Sequence, residues 1–240
     1  MKILQMNRVV KKFGALIAVN GVSIDLEKGE SLGIAGPNGS GKTTLLNLIS
    51  GFLKSDSGEI VFNGKKITKF TPHKIVSLGM ARTFQIPQNS HELTVYDNIK
   101  LACLIKSIEV DDFEKKIKEM LQFGGLYQMR NEFSGNLPLG HLRRLELVKA
   151  LCTNPDLILL DEIFSGLSHK EITEVMALLK DAVKNGVSLI IVEHLLKVLN
   201  KIINRLVILD MGLKIAEGSP EKVVNNDQVV EAYLGSMSYA

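Results

Sequence analysis

Apolar residues change their spacing several times along this chain. Short aliphatic runs bounded by turn residues read as strands. VSIDL (22–26) and ESLGIAG (30–36), separated by Lys28-Gly29, are followed after Pro155 by DLILLDE, VSLIIVEH, RLVILD and LKIAEG. Helical spacing fills much of the rest. KTTLLNLIS follows the second strand directly and stops at Gly51, a suitable C-terminal cap. EIVFNGKKI holds Asn63-Gly64 between β-formers, which predicts a hairpin. From Thr71 to about Pro155 the texture turns helical. Thr71-Pro72 opens one helix, and Thr94 with Asp97 caps LTVYDNIKLACLI. DDFEKKIKEMLQF is amphipathic up to Gly124-Gly125, and HLRRLELVKALC sets Leu142, Leu145, Val148 and Leu151 on one face. A helix from Ser168 to Lys184 is capped by Ser168 and Glu171, and the tail SPEKVVNNDQVVEAYLG reads as two short helices.

Strand–helix alternation of this kind predicts an α/β fold with a largely parallel sheet, opened by an antiparallel β-layer. The helical stretch predicts an insert, residues 86–154, carried on a core formed by 1–85 and 155–240, all within one domain. Composition leaves that picture standing: 240 residues, 45% hydrophobic and 23% charged, are enough for a sizeable core. A net charge of +3 without charge blocks gives no ground for a nucleic-acid partner. Cys103 and Cys152, the only cysteines, belong to no CxxC or Cys/His cluster and read as buried, reduced thiols. MKILQMNRVVKKF lacks the apolar centre of a signal peptide, and no run approaches the about 18 apolar residues of a spanning helix. The expected location is therefore the cytosol, with any membrane role supplied through partners.

Gly36-Pro37-Asn38-Gly39-Ser40-Gly41-Lys42-Thr43-Thr44 fits GxxxxGK[ST] between a predicted strand and a predicted helix. Glycines let successive N–H groups turn inward around phosphate oxygens, and the helix N-terminus adds to the field. Lys42 would neutralise the β- and γ-phosphates, and the Thr43 hydroxyl would ligate Mg²⁺. Downstream, the strand Leu157-Ile158-Leu159-Leu160 ends in Asp161-Glu162. Asp161 would organise Mg²⁺ through its water shell. Glu162 would act as general base or position the attacking water. Gln85 closes ARTFQ at the junction with the helical insert, where a neutral amide can touch the Mg²⁺ shell and report γ-phosphate occupancy. His194 follows VSLIIVE and would emerge at the sheet edge where ligands bind.

GPNGSGKTT, Gln85, Leu159-Leu160-Asp161-Glu162 and Glu193-His194 resemble the ABC (ATP-binding cassette) ATPases in identity, order and spacing, over nearly the whole chain. The resemblance implies a P-loop NTPase core of RecA-like kind, with the antiparallel β-layer and the all-helical insert. It implies hydrolysis of ATP with Mg²⁺, a second ABC ATPase subunit as partner, and integral-membrane permeases that hold the chain on the inner membrane face. By the same likeness Phe13 would stack on adenine, and Ser165-Gly166-Leu167-Ser168 would lie in the loop that crosses the dimer interface. ARTFQ with LTVYDNI, and the ending RLVILDMGLKIAEGSPEKV…VVEAYLG, look like subunits that energise uptake of branched-chain amino acids, and like the similar urea importers. A weakly hydrolysing regulatory subunit, or an ABC ATPase serving a soluble partner, is the alternative.

The chain also departs from that family. Where the family closes a Leu-Ser-Gly-Gly-Gln segment over its partner's ATP, this chain has Leu137-Pro138-Leu139-Gly140-His141. Pro138 has neither hydroxyl nor N–H to offer, and Leu139 places a side chain where a glycine allows close approach. Gly140 keeps an N–H at a helix start, where the dipole favours an anion, and His141 keeps a ring N–H. Ile163 stands in place of the family's usual proline. A heterodimer with one strong and one weak site is the preferred expectation, with a homodimer as the other arrangement.

Overall fold

The computed structural model describes residues 1–85, 89–104 and 110–237. The expected insert boundary at residue 86, Ile105 at the end of its expected helix and residues 238–240 lie outside them. The chain opens with β1 (Lys2–Phe13), β2 (Leu16–Glu27), β3 (Ser31–Ala35), α1 (Lys42–Ile49), β4 (Ser57–Phe62) and β5 (Lys65–Lys66). It continues through α2 (Pro72–Ser77), β6 (Met80–Arg82), α3 (Val95–Leu104), α4 (Val110–Phe123) and α5 (Leu139–Cys152). β7 (Leu157–Asp161), α6 (His169–Lys184), β8 (Ser188–Val192), α7 (Leu196–Leu199), β9 (Arg205–Asp210), β10 (Leu213–Gly218), α8 (Pro220–Val224) and α9 (Asp227–Met237) complete it.

Two sheets form, in the orders β2-β1-β4-β5 and β10-β9-β3-β8-β7-β6. The smaller is antiparallel throughout, and the larger is parallel except for the β9–β10 pair. β3, β7 and β8 are buried at every position. That explains why they read as aliphatic runs with no alternation: a parallel sheet covered on both faces has no polar side. One face, with Leu32, Ile34, Leu159, Ile190 and Val207, packs against the smaller sheet and α1. The other, with Ile158, Leu160, Leu189, Ile191 and Ile208, packs against α6 and its neighbours. A third apolar cluster lies among α3, α4 and α5, where Val95, Ile99, Leu145 and Val148 are buried and Leu142 and Leu151 pack at its edge. Cys103 and Cys152 are free thiols buried in that cluster.

Three strands differ from the expectation, and the short helix α7 has no counterpart in it. β1 occupies a stretch the apolar pattern leaves unassigned, because register shifts against β2 between Lys2 and Leu4, and again between Met6 and Val9, break the alternation of its buried residues. β2 begins at Leu16, six positions ahead of VSIDL, because its first half pairs with the second half of β1. β6 ends at Arg82, so Gln85 lies beyond the strand and not at its last position. The Asn63-Gly64 hairpin forms as expected, with Phe62 opposite Lys65. No described helix is long and apolar enough to cross a membrane.

Candidate functional site

The phosphate-loop segment joins β3 to α1. Gly41 is the N-cap of α1 in a left-handed conformation with φ of 104°, and a Cβ there would lie 2.3 Å from the Ala18 carbonyl oxygen. Only glycine fits that combination of backbone and space. The Lys42 ammonium is folded into the hollow of the loop, donating to the carbonyls of Gly36 at 2.9 Å and Pro37 at 2.8 Å. Burial lowers its pKa from the usual lysine value, while the carboxylates of Glu162 and Asp161 oppose that shift. Ser40 is buried beneath the loop, and its hydroxyl has no hydrogen-bond partner among the described residues.

A cavity of about 550 Å³ opens over this loop. Phe13, Asn38, Gly39, Gly41, Lys42, Thr43, Thr44, Glu162 and His194 all line it. Phe13 stands at the end of β1, 47% exposed, with the Lys11 ammonium 5.5 Å from its ring centre. On the opposite wall the Glu162 carboxylate is shared: the Gln85 amide donates to Oε2 at 2.8 Å and His194 Nε2 meets Oε1 at 2.7 Å. Two residues that are far apart in sequence thus converge on the carboxylate of a third. Glu162 itself has φ of +49°, a left-handed backbone uncommon outside glycine, held by its N–H bond to the Val192 carbonyl at 2.9 Å. The strain fixes the direction of the carboxylate as the chain leaves β7.

Asp161, the last residue of β7, is 5% exposed. Burial raises its pKa from the usual aspartate value, and the Arg82 guanidinium, donating to Oδ2 at 3.2 Å, opposes that rise. The neighbouring Glu193 carboxylate accepts the Phe164 N–H at 2.8 Å, and burial pushes its pKa up to about 7.

Gly140 lies apart from the cavity, in the first turn of α5. The carboxylate of Glu171 in the same chain lies against it, and a methyl added there would come within 2.3 Å of Glu171 Oε1. Leu139 packs towards Gly166, whose added Cβ would meet it at 3.0 Å. Ile163 is fully buried in the core and does not itself line the cavity.

Several residues of consequence escape sequence reasoning. Arg143 on α5 donates to the carbonyls of Phe84 and Gln85, at 2.8 and 2.5 Å, and Glu146 accepts the Phe84 N–H at 2.7 Å. The helix that begins at the Gly140 segment therefore holds the backbone around Gln85. On a sequence helix, Arg143 and Glu146 are merely polar positions; the one available signal is an Arg–Glu pair three residues apart that the helical period turns towards the core. Arg82 likewise reads as a solvated charge in ARTFQ.

The residues present fit a nucleotide triphosphate with a divalent cation. The loop's glycine-only backbone, the inward Lys42 and the carboxylates that offset its charge suit a polyphosphate. Among the described residues no cluster of three His, Cys, Asp or Glu could hold a metal alone. A cation at this site would draw on hydroxyl, amide and phosphate oxygens as well, as Mg²⁺ does.

The chain matches the family model described as "ABC transporter" over residues 19–165 and that described as "Branched-chain amino acid ATP-binding cassette transporter" over 214–237. It is 37% identical to the probable branched-chain amino acid transport ATP-binding protein LivG of Archaeoglobus fulgidus, covering 98% of this chain and 96% of that one. It is 32% identical to the high-affinity branched-chain amino acid transport ATP-binding protein BraF of Pseudomonas aeruginosa, covering 97% and 98%. Its fold superposes on MJ1267, an ATP-binding cassette of an ABC transporter in its ADP conformation, with a TM-score of 0.89 at 35% identity, covering 98% and 99%. The cassette MJ0796, solved as a dimer in a post-hydrolysis state with ADP and Pi, aligns with a TM-score of 0.81 at 25% identity, covering 90% and 98%. With its phosphate loop, acidic strand end and shared carboxylate in this arrangement, the chain belongs to the ABC transporter family as an ATP-binding, ATP-hydrolysing subunit.

Proposed function

We propose that this subunit drives uptake of branched-chain amino acids, or of a similar small solute such as urea, through partner permeases on the inner face of the cell membrane. The names of its relatives and the match over 214–237 support the solute class. The observation that carries the mechanism is the Glu162 carboxylate, held between Gln85 and His194 at the wall of the phosphate-loop cavity. Glu162 orients and deprotonates the water that attacks the γ-phosphate, and His194 fixes one carboxylate oxygen. Lys42 and the backbone N–H groups of the phosphate loop would bind the phosphates, Phe13 would stack on the base, and Thr43, Gln85 and Asp161 would hold Mg²⁺, Asp161 through water.

The helical layer, residues 86–154, is the part that turns against the core when the γ-phosphate leaves. Gln85 stands at its hinge, tied to α5 by Arg143. A groove of about 390 Å³ between this layer and the core, bordered by Val76, Arg82, Phe84 and Leu101, is the seat for a permease helix. Exposed Leu101, with Phe84 and Val76, gives it an apolar border.

Two cassettes close on each other, and the preferred partner is a different ATP-binding subunit. Pro138 offers no donor, and the Glu171 carboxylate lies against Gly140. A second reading, a weakly hydrolysing regulatory subunit, rests on the same two residues. The test is ATP hydrolysis by the purified subunit, alone and with a second cassette, beside Glu162→Gln. Removing a positioned base lowers turnover by about 10²–10⁴-fold, with Mg-ATP binding retained. Turnover unaffected by Glu162→Gln sinks the proposed mechanism, and binding without Glu162-dependent turnover in either setting favours the regulatory reading.

A further inference from the structure

Arg82 is a cation built into the middle of the protein. It ends β6, next to β7 in the sheet, and its side chain is 7% exposed, as is that of Asp161. Its guanidinium serves three acceptors. Nη1 donates to Asn47 Oδ1 and to Ser50 Oγ, both at 2.7 Å, and Nη2 donates to Asp161 Oδ2 at 3.2 Å. Asn47 belongs to α1, the helix launched by the phosphate loop, and Ser50 caps its end. One planar group thus fixes the far end of the phosphate-binding helix and the acid at the end of β7.

Aromatic rings enclose the same guanidinium. Phe84 lies 5.0 Å and Phe52 5.6 Å from its carbon, and the two rings meet edge to face at 5.7 Å. Arg82 and Phe84 also border the groove between the core and the helical layer. Phe84 is placed from that layer: Arg143 and Glu146 on α5 hold its carbonyl and its N–H. A continuous set of contacts therefore runs from α5 through Phe84 to Arg82 and on to Asp161, sharing Arg143 with the route through Gln85 and Glu162 and diverging from it at Phe84.

We propose that Arg82 is a positioning residue for the Mg²⁺-organising carboxylate. By occupying Asp161 Oδ2 it leaves Oδ1 for the metal's water shell, and the Phe84 clamp makes that orientation depend on where the helical layer stands. A lysine cannot replace it, because a point charge cannot reach Asn47, Ser50 and Asp161 from one plane. The inference rests on the reading of Asp161 as the residue that organises Mg²⁺, and it adds a second path by which groove and nucleotide site sense each other.

The test measures ATP affinity of the full-length purified chain by equilibrium titration, in EDTA and across a Mg²⁺ series. The readout is the gain in affinity that Mg²⁺ confers. Arg82→Gln is expected to reduce that gain about tenfold, the scale of one charge-assisted hydrogen bond, while affinity in EDTA stays within about twofold. Arg82→Lys is expected to restore only part of the gain. Phe84→Ala, which leaves every polar partner of Arg82 in place, is expected to reduce the gain in the same direction. An unchanged Mg²⁺ gain in Arg82→Gln overturns the proposal, as does an equal loss with and without Mg²⁺, which a purely structural role would give. If Arg82→Gln does not fold, the double variant Asn47→Ala/Ser50→Ala frees the guanidinium with its charge retained, and an unchanged gain there overturns the proposal equally. Asp161→Asn separates the two levels. If it leaves the gain intact, the reading of Asp161 fails. If it abolishes the gain while Arg82→Gln does not, the role given to Arg82 alone fails.

Discussion

Carboxylates at the end of the sheet do different work because their surroundings differ. Glu162 faces the cavity and is held by two polar side chains, whereas Glu193 is turned inward to receive the Phe164 N–H. Burial raises the Glu193 pKa from the ordinary 4.5 to about 7, with that N–H opposing the rise. A folded-state pKa above the unfolded one means that the folded protein binds the extra proton. Its contribution to stability is fully present below about pH 4.5 and is lost as pH rises through about 7. The pKa difference corresponds to a loss on the order of 3 kcal/mol. Urea unfolding at pH 5 and pH 8 should show a larger fall in midpoint for the unmodified chain than for Glu193→Gln. Equal falls would show that Glu193 does not titrate in this window. At this scale the motif residues were legible: the phosphate loop, Asp161, Glu162 and His194 announce themselves by type and spacing. Glu193, Arg82, Arg143 and Glu146 did not, since their roles follow from what the fold places opposite them.

At the level of elements, α5 and α6 share a terminus. Ser168 caps α6 by a box in which its N–H donates to Glu171 Oε2 at 2.8 Å and its hydroxyl accepts the Glu171 N–H at 3.4 Å. The Glu171 carboxylate also lies against Gly140 at the start of α5, and its bonds from Ser168 hold its pKa below the usual glutamate value. One carboxylate therefore stands at two helix starts, where both dipoles favour it. Ser168→Ala should cost about 1 kcal/mol. Glu171→Ala should lower the melting temperature further, because α5 loses the anion at its N-terminus as well. Equal shifts in thermal melts of the two variants would show that the contact with Gly140 adds nothing. The Ser168/Glu171 cap could be read from sequence, being local. Its second use could not, because it joins residues from two helices. The strand β1 was hidden for a related reason: its bulges place Ile3, Leu4, Met6 and Val9 inside without a period of two.

For the molecule as a whole, the consequence of the Pro138 segment depends on what closes over it. The site formed by this chain's own phosphate loop, Glu162 and His194 is complete on its side, with Gln85 already bonded to the carboxylate. The surface this chain offers to a partner's nucleotide is poorer. Pro138 is the N-cap of α5 and has no donor, Leu139 stands half exposed beside it, and the Gly140 amide faces Glu171. Each absent donor to a charged phosphate oxygen removes about 1.5–3 kcal/mol, or roughly ten- to a hundredfold in the step it serves. In a pair of identical chains both nucleotide sites inherit that loss. In a mixed pair one site is closed by the partner's segment and escapes it. The purified chain should therefore hydrolyse ATP slowly, and a partner cassette with serine in the segment should raise turnover by about ten- to a hundredfold. The stimulated rate should vanish when Glu162→Gln is made in this chain, since the rescued site uses its carboxylate. Replacing Pro138 with Ser should recover part of the same rate without any partner. Brisk turnover by the unaltered chain alone would mean that the segment closes a homodimer well as it stands, and that the Glu171 carboxylate moves aside from Gly140 when the γ-phosphate arrives.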